Sequence, residues 1–309
     1  MPIHQEPSLD LERSLRSVVG LQASIPEDAF TAPILGTERA GSGVVIREDG
    51  LVLTIGYLIT EAESVWLTNT DGRGMPGHAL AYDQGTGFGL VQALGRLDLP
   101  ALDFGDSSMS AVGDQVILAG GGGRYVRAGI VSKHEFAGYW EYLLDEAIFT
   151  APAHPLWGGT AMIGADGRLL GIGSLLLQMA DGAATQDINM VVPINLLPPI
   201  LDDLLTHGQV RTPPRPWLGL YAAEREGTVV VLDIDERGPA AAAGVRAGDI
   251  LSEVRDQDIT GLADFYRKIW ACGPAGAEIA LRLVRGKRDQ WVRVRSMDRA
   301  SLLRKPLLH

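Results

Sequence analysis

Residues 41–54 read Gly-Ser-Gly-Val-Val-Ile-Arg-Glu-Asp-Gly-Leu-Val-Leu-Thr. Two short apolar runs, 43–46 and 51–54, flank an Asp49-Gly50 turn. Runs this short, joined by Asp-Gly, favour strands over helices. The same grammar recurs along the chain: 65–68 precedes Asp71-Gly72, and 147–150, 161–163 and 169–172 surround Asp166-Gly167. Strands of about four to six residues at this spacing predict a mostly β chain, an all-β barrel or sandwich. The period then changes. Leu197, Ile200, Leu201, Leu204 and Leu205 recur at helical spacing and stop at His207-Gly208.

Past that helix comes Thr212-Pro-Pro-Arg-Pro216, a stiff stretch in which proline fixes φ and removes amide donors. It marks a domain boundary. The remainder predicts an α+β domain: a strand, a turn at Arg237-Gly238-Pro239, a short helix at 240–243, a strand at Ile250–Val254, a helix, and a hairpin turning at Gly286-Lys287. Its helix, Leu262–Ala271, places Leu262, Phe265, Tyr266, Ile269 and Trp270 on one face.

Composition bounds the function. The 309 residues suit two domains, and 46% hydrophobic residues supply packed cores. The single cysteine, Cys272, excludes an internal disulfide framework and any multi-cysteine metal site. A net charge of −11 argues against nucleic acid as a partner. The start, MPIHQEPSLDLERSLR, has neither the cationic segment nor the apolar run of a secretory signal. No stretch reaches the ~20 apolar residues of a membrane span. The expected location on this reading is the cytoplasm.

Taken in order, the runs resemble the HtrA/Deg family, a trypsin-like double β-barrel followed by a PDZ domain. Gly41-Ser-Gly-Val-Val-Ile46, Asp49-Gly50 and Val52-Leu-Thr54 carry the first part of the likeness. It continues through LDFGDSSMSAVGDQV at 102–116, Ala128-Gly-Ile-Val-Ser132 and Asp166-Gly-Arg-Leu-Leu-Gly-Ile172. In the second domain, Trp217-Leu-Gly-Leu220, Gly238-Pro-Ala-Ala-Ala-Ala-Gly244 and Ala247-Gly-Asp249 are similar to the family's PDZ motifs. The expected organisation is an N-terminal segment at 1–16, a trypsin-like domain at 17–209, a proline-rich linker at 210–216, a PDZ domain at 217–298 and a tail at 299–309. Members are commonly trimers, so the resemblance implies a homo-oligomer.

The resemblance also fixes where a catalytic triad would stand. A serine peptidase needs a hydroxyl nucleophile, a base titrating near neutrality and a carboxylate that orients the base. Where the family has histidine, aspartate and serine, this sequence has Tyr57, Gly87 and Gly158. A phenol titrating near pH ~10 accepts a proton poorly at pH 7. The expectation is a catalytically inactive pseudoprotease that acts as a peptide-binding scaffold, not an enzyme. A residual or unorthodox serine-type endopeptidase and a holdase-type chaperone are the alternatives. Tyr57 and Trp157 read as packing residues that fill the cleft. His154, Asp83 and His78 lack metal-ligand spacing, and Gly120 to Gly123 is a turn without phosphate-loop context, so no metal and no cofactor are expected.

A PDZ groove binds an extended peptide as an added strand and holds its C-terminal carboxylate on backbone amides. The resemblance assigns the amide turn to Trp217, Leu218, Gly219 and Leu220, and the apolar lining to Leu262, Tyr266 and Ile269. The simpler role for the three helix residues is to pack this domain's core. The expected partners are protein or peptide C-termini.

Overall fold

A computed structural model describes residues 9–181 and 184–304. Most of the N-terminal segment and the end of the tail named above, 1–8 and 305–309, lie outside the described residues. The first barrel holds β1 (Val18–Ser24), β2 (Glu38–Arg47), β3 (Leu51–Ile55), β4 (Ser64–Thr68), β5 (Gly74–Tyr82) and β6 (Phe88–Ala93). It closes in the order β1-β2-β3-β6-β5-β4. The second holds β7 (Gln115–Ala119), β8 (Tyr125–Gly138), β9 (Tyr142–Ala151), β10 (Ala161–Ile163), β11 (Leu169–Asp181) and β12 (Ala184–Pro193), closed as β10-β11-β12-β9-β8-β7. Closure removes the sheet edges that would otherwise expose unpaired amides. Three helices flank these strands: α1 (Leu9–Arg16), α2 (Ala32–Leu35) and α3 (Pro198–His207). α3 begins with proline in its first turn and ends at Gly208 in the left-handed region, as its sequence signals predict.

The Asp49-Gly50 motif is the β2–β3 turn. β3, LVLTI, is buried at all five positions because it runs between β2 and β6 inside the barrel wall. Two strands outgrow the sequence expectation. The run at 169–172 extends to a 13-residue strand, and β11 and β12 continue as a paired ribbon to Asp181↔Ala184. Ladder pairing with β12 carries it past the apolar run that was legible locally.

The C-terminal sheet contains β13 (Leu220–Arg225), β14 (Thr228–Ile234), β15 (Ile250–Val254), β16 (Gln257–Asp258), β17 (Glu278–Arg285) and β18 (Arg288–Arg295). Its order is β13-β14-β15-β17-β18, with β16 paired to β15, so β13 lies at an edge. The helices here are α4 (Pro239–Ala242) and α5 (Leu262–Ala271). α5 buries Leu262, Phe265, Tyr266 and Ile269, the i, i+3, i+4, i+7 stripe, and carries an Asp264–Lys268 ion pair at 2.5 Å.

The chain divides into two compact units, but not at one point. Of the described residues, one unit holds 9–134, 146–211 and Arg304, and the other holds 135–145 and 212–303. The tip of the β8–β9 hairpin therefore belongs with the C-terminal sheet. A linear sequence partition misses this because the tip packs with residues about 80–130 positions later, a matter of tertiary contact.

Candidate functional site

At the end of β3 the chain makes a 3-10 turn, Gly56–Leu58, that presents Tyr57. The Tyr57 hydroxyl donates to the Ser174 carbonyl at 2.8 Å and accepts from the Trp157 indole. Burial pushes this phenol well above its usual value. Gly158 faces it: a Cβ built there would lie 2.7 Å from the Tyr57 oxygen. Gly87 accepts a hydrogen bond from the Gly56 amide at 2.7 Å through its own carbonyl. The three positions assigned by resemblance thus gather around one turn.

Other hydroxyls in this region are bonded to backbone. Thr54 Oγ1 donates to the Ser42 carbonyl at 2.7 Å and Thr160 Oγ1 to the Trp157 carbonyl at 3.1 Å. His154 is buried; its Nδ1 accepts from the Leu156 amide at 3.1 Å and the ring also bonds the Arg124 backbone. Burial holds this imidazole below its usual pKa. Trp157, expected to pack, is 36% exposed, and its N–H bonds the Tyr57 hydroxyl.

The turn rests on buried charged groups that sequence reading missed. The Arg39 guanidinium donates to the Tyr57 carbonyl at 2.7 Å, the Thr60 carbonyl at 3.0 Å and Thr31 Oγ1 at 2.8 Å. Glu61 accepts from the Phe30, Thr31 and Arg304 amides and the Thr31 hydroxyl. Burial pulls the Arg39 pKa down to about 10, with Glu61 raising it. Burial also pushes Glu61 up, but its hydrogen bonds outweigh that and hold it below the usual carboxylate value. The signal available in sequence was weak: Arg39 and Glu61 each stand near another charge, Glu38 and Glu63, and nothing local marks which is buried.

The second candidate site lies at the start of β13. Three successive amides, from Leu218, Gly219 and Leu220, converge on the side-chain carboxylate of Glu141, in the β8–β9 hairpin tip. Their distances to Oε1 are 3.1, 2.8 and 3.0 Å, and the Leu218 amide also reaches Oε2 at 3.2 Å. Gly219 takes φ +77°, and a Cβ there would sit 3.0 Å from the Gly238 Cα. Only glycine fits that curvature and that approach. The amide of Trp217, assigned to the same turn, instead donates to the Met297 carbonyl at 3.0 Å in a β-bridge.

Burial pushes the Glu141 pKa up to about 7, against the pull of the Leu220, Leu218 and Gly219 amides and the Arg299 charge. The Tyr266 hydroxyl accepts from the Glu141 amide at 3.2 Å and donates to the Gly138 carbonyl at 2.8 Å. Burial first, and the Glu141 charge second, raise its pKa. Leu262, Tyr266 and Ile269 are buried in the core of this domain, and Leu143 from the hairpin tip is buried in the same apolar cluster. The sequence offered no signal for Glu141, since a lone glutamate after two aromatics is an ordinary hairpin tip. Among the described residues, no group of three or more His, Cys, Asp or Glu is placed to hold a metal ion.

Residues 41–172 match the family model for the trypsin-like peptidase domain, and 216–295 match that for the PDZ domain. The chain is 28% identical over 277 residues to the probable periplasmic serine protease do/HhoA-like of Haemophilus influenzae, covering 82% of this chain and 57% of that protein. It is 27% identical over 286 residues to the periplasmic pH-dependent serine endoprotease DegQ of Escherichia coli, covering 87% and 61%. This chain belongs to the HtrA/Deg family. Among solved structures, the HtrA-type protease AlgW with tripeptide superposes with TM-score 0.56 at 19% identity, over 96% of this chain and 97% of that one. The serine endoprotease from Yersinia pestis gives 0.55 at 20%, over 95% and 99%. Both establish the mostly β fold, a trypsin-like double barrel followed by a PDZ domain. This HtrA/Deg chain spans a little over half the length of the curated relatives it matches.

Two expectations are overturned. The reading of the chain as not an enzyme fails because its relatives are named serine endoproteases and proteases, which points to an enzyme. Substitution at three aligned positions does not by itself decide catalysis, because binding energy and oxyanion donors contribute independently of a triad. The cytoplasmic expectation fails because the same relatives are named periplasmic. It was drawn from the residues at the start of the chain and from the lack of a membrane-length apolar stretch. Among the described residues, no helix is long and apolar enough to cross a membrane.

Proposed function

We propose that this HtrA/Deg chain captures peptides and proteins by a C-terminal carboxylate at its PDZ domain, in the periplasm where its relatives' names place them. The observation that carries this reading is the set of three amides, from Leu218, Gly219 and Leu220, on one carboxylate. Such an arrangement is a carboxylate receptor, and the adjoining β13 is an edge strand, able to accept an added strand. The test is binding of peptides with free and amidated C-termini to the full chain and to Gly219→Glu. Free-carboxylate peptides should bind with affinity on the order of micromolar. Amidation and Gly219→Glu should each abolish the signal, and binding indifferent to both would refute the reading.

A second reading, favoured by the relatives' names, is serine-type endopeptidase activity with an unorthodox set of residues. Hydrolysis at the Tyr57–Gly158 cleft would require a hydroxyl other than the aligned one, and Thr160 is the nearest in sequence to Gly158. A route without the usual triad runs on the order of 10⁴–10⁶ slower than one with it. Casein cleavage by the full chain at that level, with a fluorophosphonate label mapped by mass spectrometry to a cleft residue, is the expected result. Neither cleavage nor label under conditions where DegQ shows both would remove this reading.

A further inference from the structure

A receptor for peptide carboxylates ought to present open amides. Here all three are filled by a residue of the same chain. The segment that fills them, Glu135–Asp145, groups with the C-terminal sheet. The Tyr139 carbonyl accepts the Ala222 amide at 3.0 Å, which takes up a main-chain donor of the edge strand β13. Two residues on, the Glu141 carboxylate occupies the amide turn. Leu143 lies in the apolar cluster with Leu262, Phe265, Tyr266 and Ile269.

The tip is also held by α5. Arg267 of α5 pairs with Glu135 and with Asp145, each at 2.5 Å, and Tyr266 bonds Gly138 and Glu141. Glu141 itself sits at φ +59°, a conformation that costs a residue with a Cβ and persists only where surrounding bonds hold it. Its carboxylate is aimed into the amide turn at 218–220 of the same unit.

We infer that the PDZ carboxylate site of this chain is self-occupied, with the 139–143 hairpin tip seated as a tethered ligand and Glu141 standing in for a peptide's terminal carboxylate, so that an incoming peptide binds by displacing it. The inference rests on the carboxylate-capture reading above and adds the competitor. Being tethered, the tip acts at an effective concentration in the millimolar range. A free peptide of micromolar intrinsic affinity is therefore weakened by the fraction of chains whose site is closed. Freeing the site should tighten peptide binding about tenfold to a hundredfold.

The experiment uses the full chain in three forms, wild type, Glu141→Ala and Arg267→Ala. The probe is a pool of random decapeptides with free C-terminal carboxylates, set against the same pool amidated. Hydrogen exchange at the 218–220 amides is followed in parallel without peptide. Glu141→Ala should bind the carboxylate pool at least about tenfold tighter than wild type and exchange those amides faster. Arg267→Ala, which keeps the carboxylate but loosens its hairpin, should fall between them, and it serves as the reporter if Glu141→Ala folds poorly. Equal binding by all three, with equal exchange, would overturn self-occupation while leaving carboxylate capture intact. Freely exchanging amides in Glu141→Ala with no binding of either pool would instead overturn the capture reading, and this inference with it.

Discussion

Replacing Glu141 with glutamine should stabilise the C-terminal unit at pH 8 and leave it nearly unchanged at pH 4. The wild-type carboxyl has its pKa pushed up to about 7 by burial, from an ordinary 4.5. Since the folded value lies above the unfolded one, the folded chain holds this proton more tightly. The associated stability is fully present below about pH 4.5, declines as pH rises, and is lost above about pH 7. The gap corresponds to about 3 kcal/mol. The amides concentrate on Oε1, and only Leu218 approaches Oε2, at 3.2 Å, so a single oxygen acceptor can keep most of these bonds. Glutamine keeps the Oε1 acceptor and stays neutral at every pH. The assay is urea unfolding of the full chain at pH 4, 6 and 8 by tryptophan fluorescence; Trp140, Trp217, Trp270 and Trp291 lie in the C-terminal unit, and replacing Trp66 and Trp157 by Phe confines the signal to it. The wild type should trail Glu141→Gln by up to about 3 kcal/mol at pH 8 and converge with it at pH 4. A wild type more stable than Glu141→Gln at pH 8 would refute the reasoning. It would show that the three amides and Arg299 outweigh burial and seat an anion.

Gly158→Ser should destabilise the first unit by about 1–3 kcal/mol, because its Cβ meets the Tyr57 oxygen at 2.7 Å. Adding Tyr57→Ala should recover part of that loss, which a double-mutant cycle by chemical denaturation would read. Arg39→Ala should cost about 2–4 kcal/mol, since it leaves the Tyr57 and Thr60 carbonyls without their donor; thermal unfolding would register it. Gly219→Ala should cost about 1–3 kcal/mol through its φ of +77° and its approach to Gly238, and should weaken binding of free-carboxylate peptides in anisotropy titrations.

Strand-and-turn spacing was enough to determine a β-rich first domain, the helix before Gly208 and the α5 stripe. These depend on periods of two and 3.6 residues, and on Gly and Pro, which act within a few positions of themselves. The amide turn at 218–220 was reached through the family resemblance, and Gly219 there takes positive φ. Tertiary structure alone decided what meets that turn. Glu141 lies 77 to 79 positions from its amide partners, and no local pattern encodes a contact at that separation. The Arg39–Glu61 support under Tyr57 was hidden likewise, because sequence shows a charge but not its burial. The Trp217 amide shows the converse: sequence placed it in the anion turn with its neighbours, and a bridge to Met297, 80 residues on, took it away. Local chemistry fixes which groups can act as donors and acceptors, and long-range packing chooses their partners.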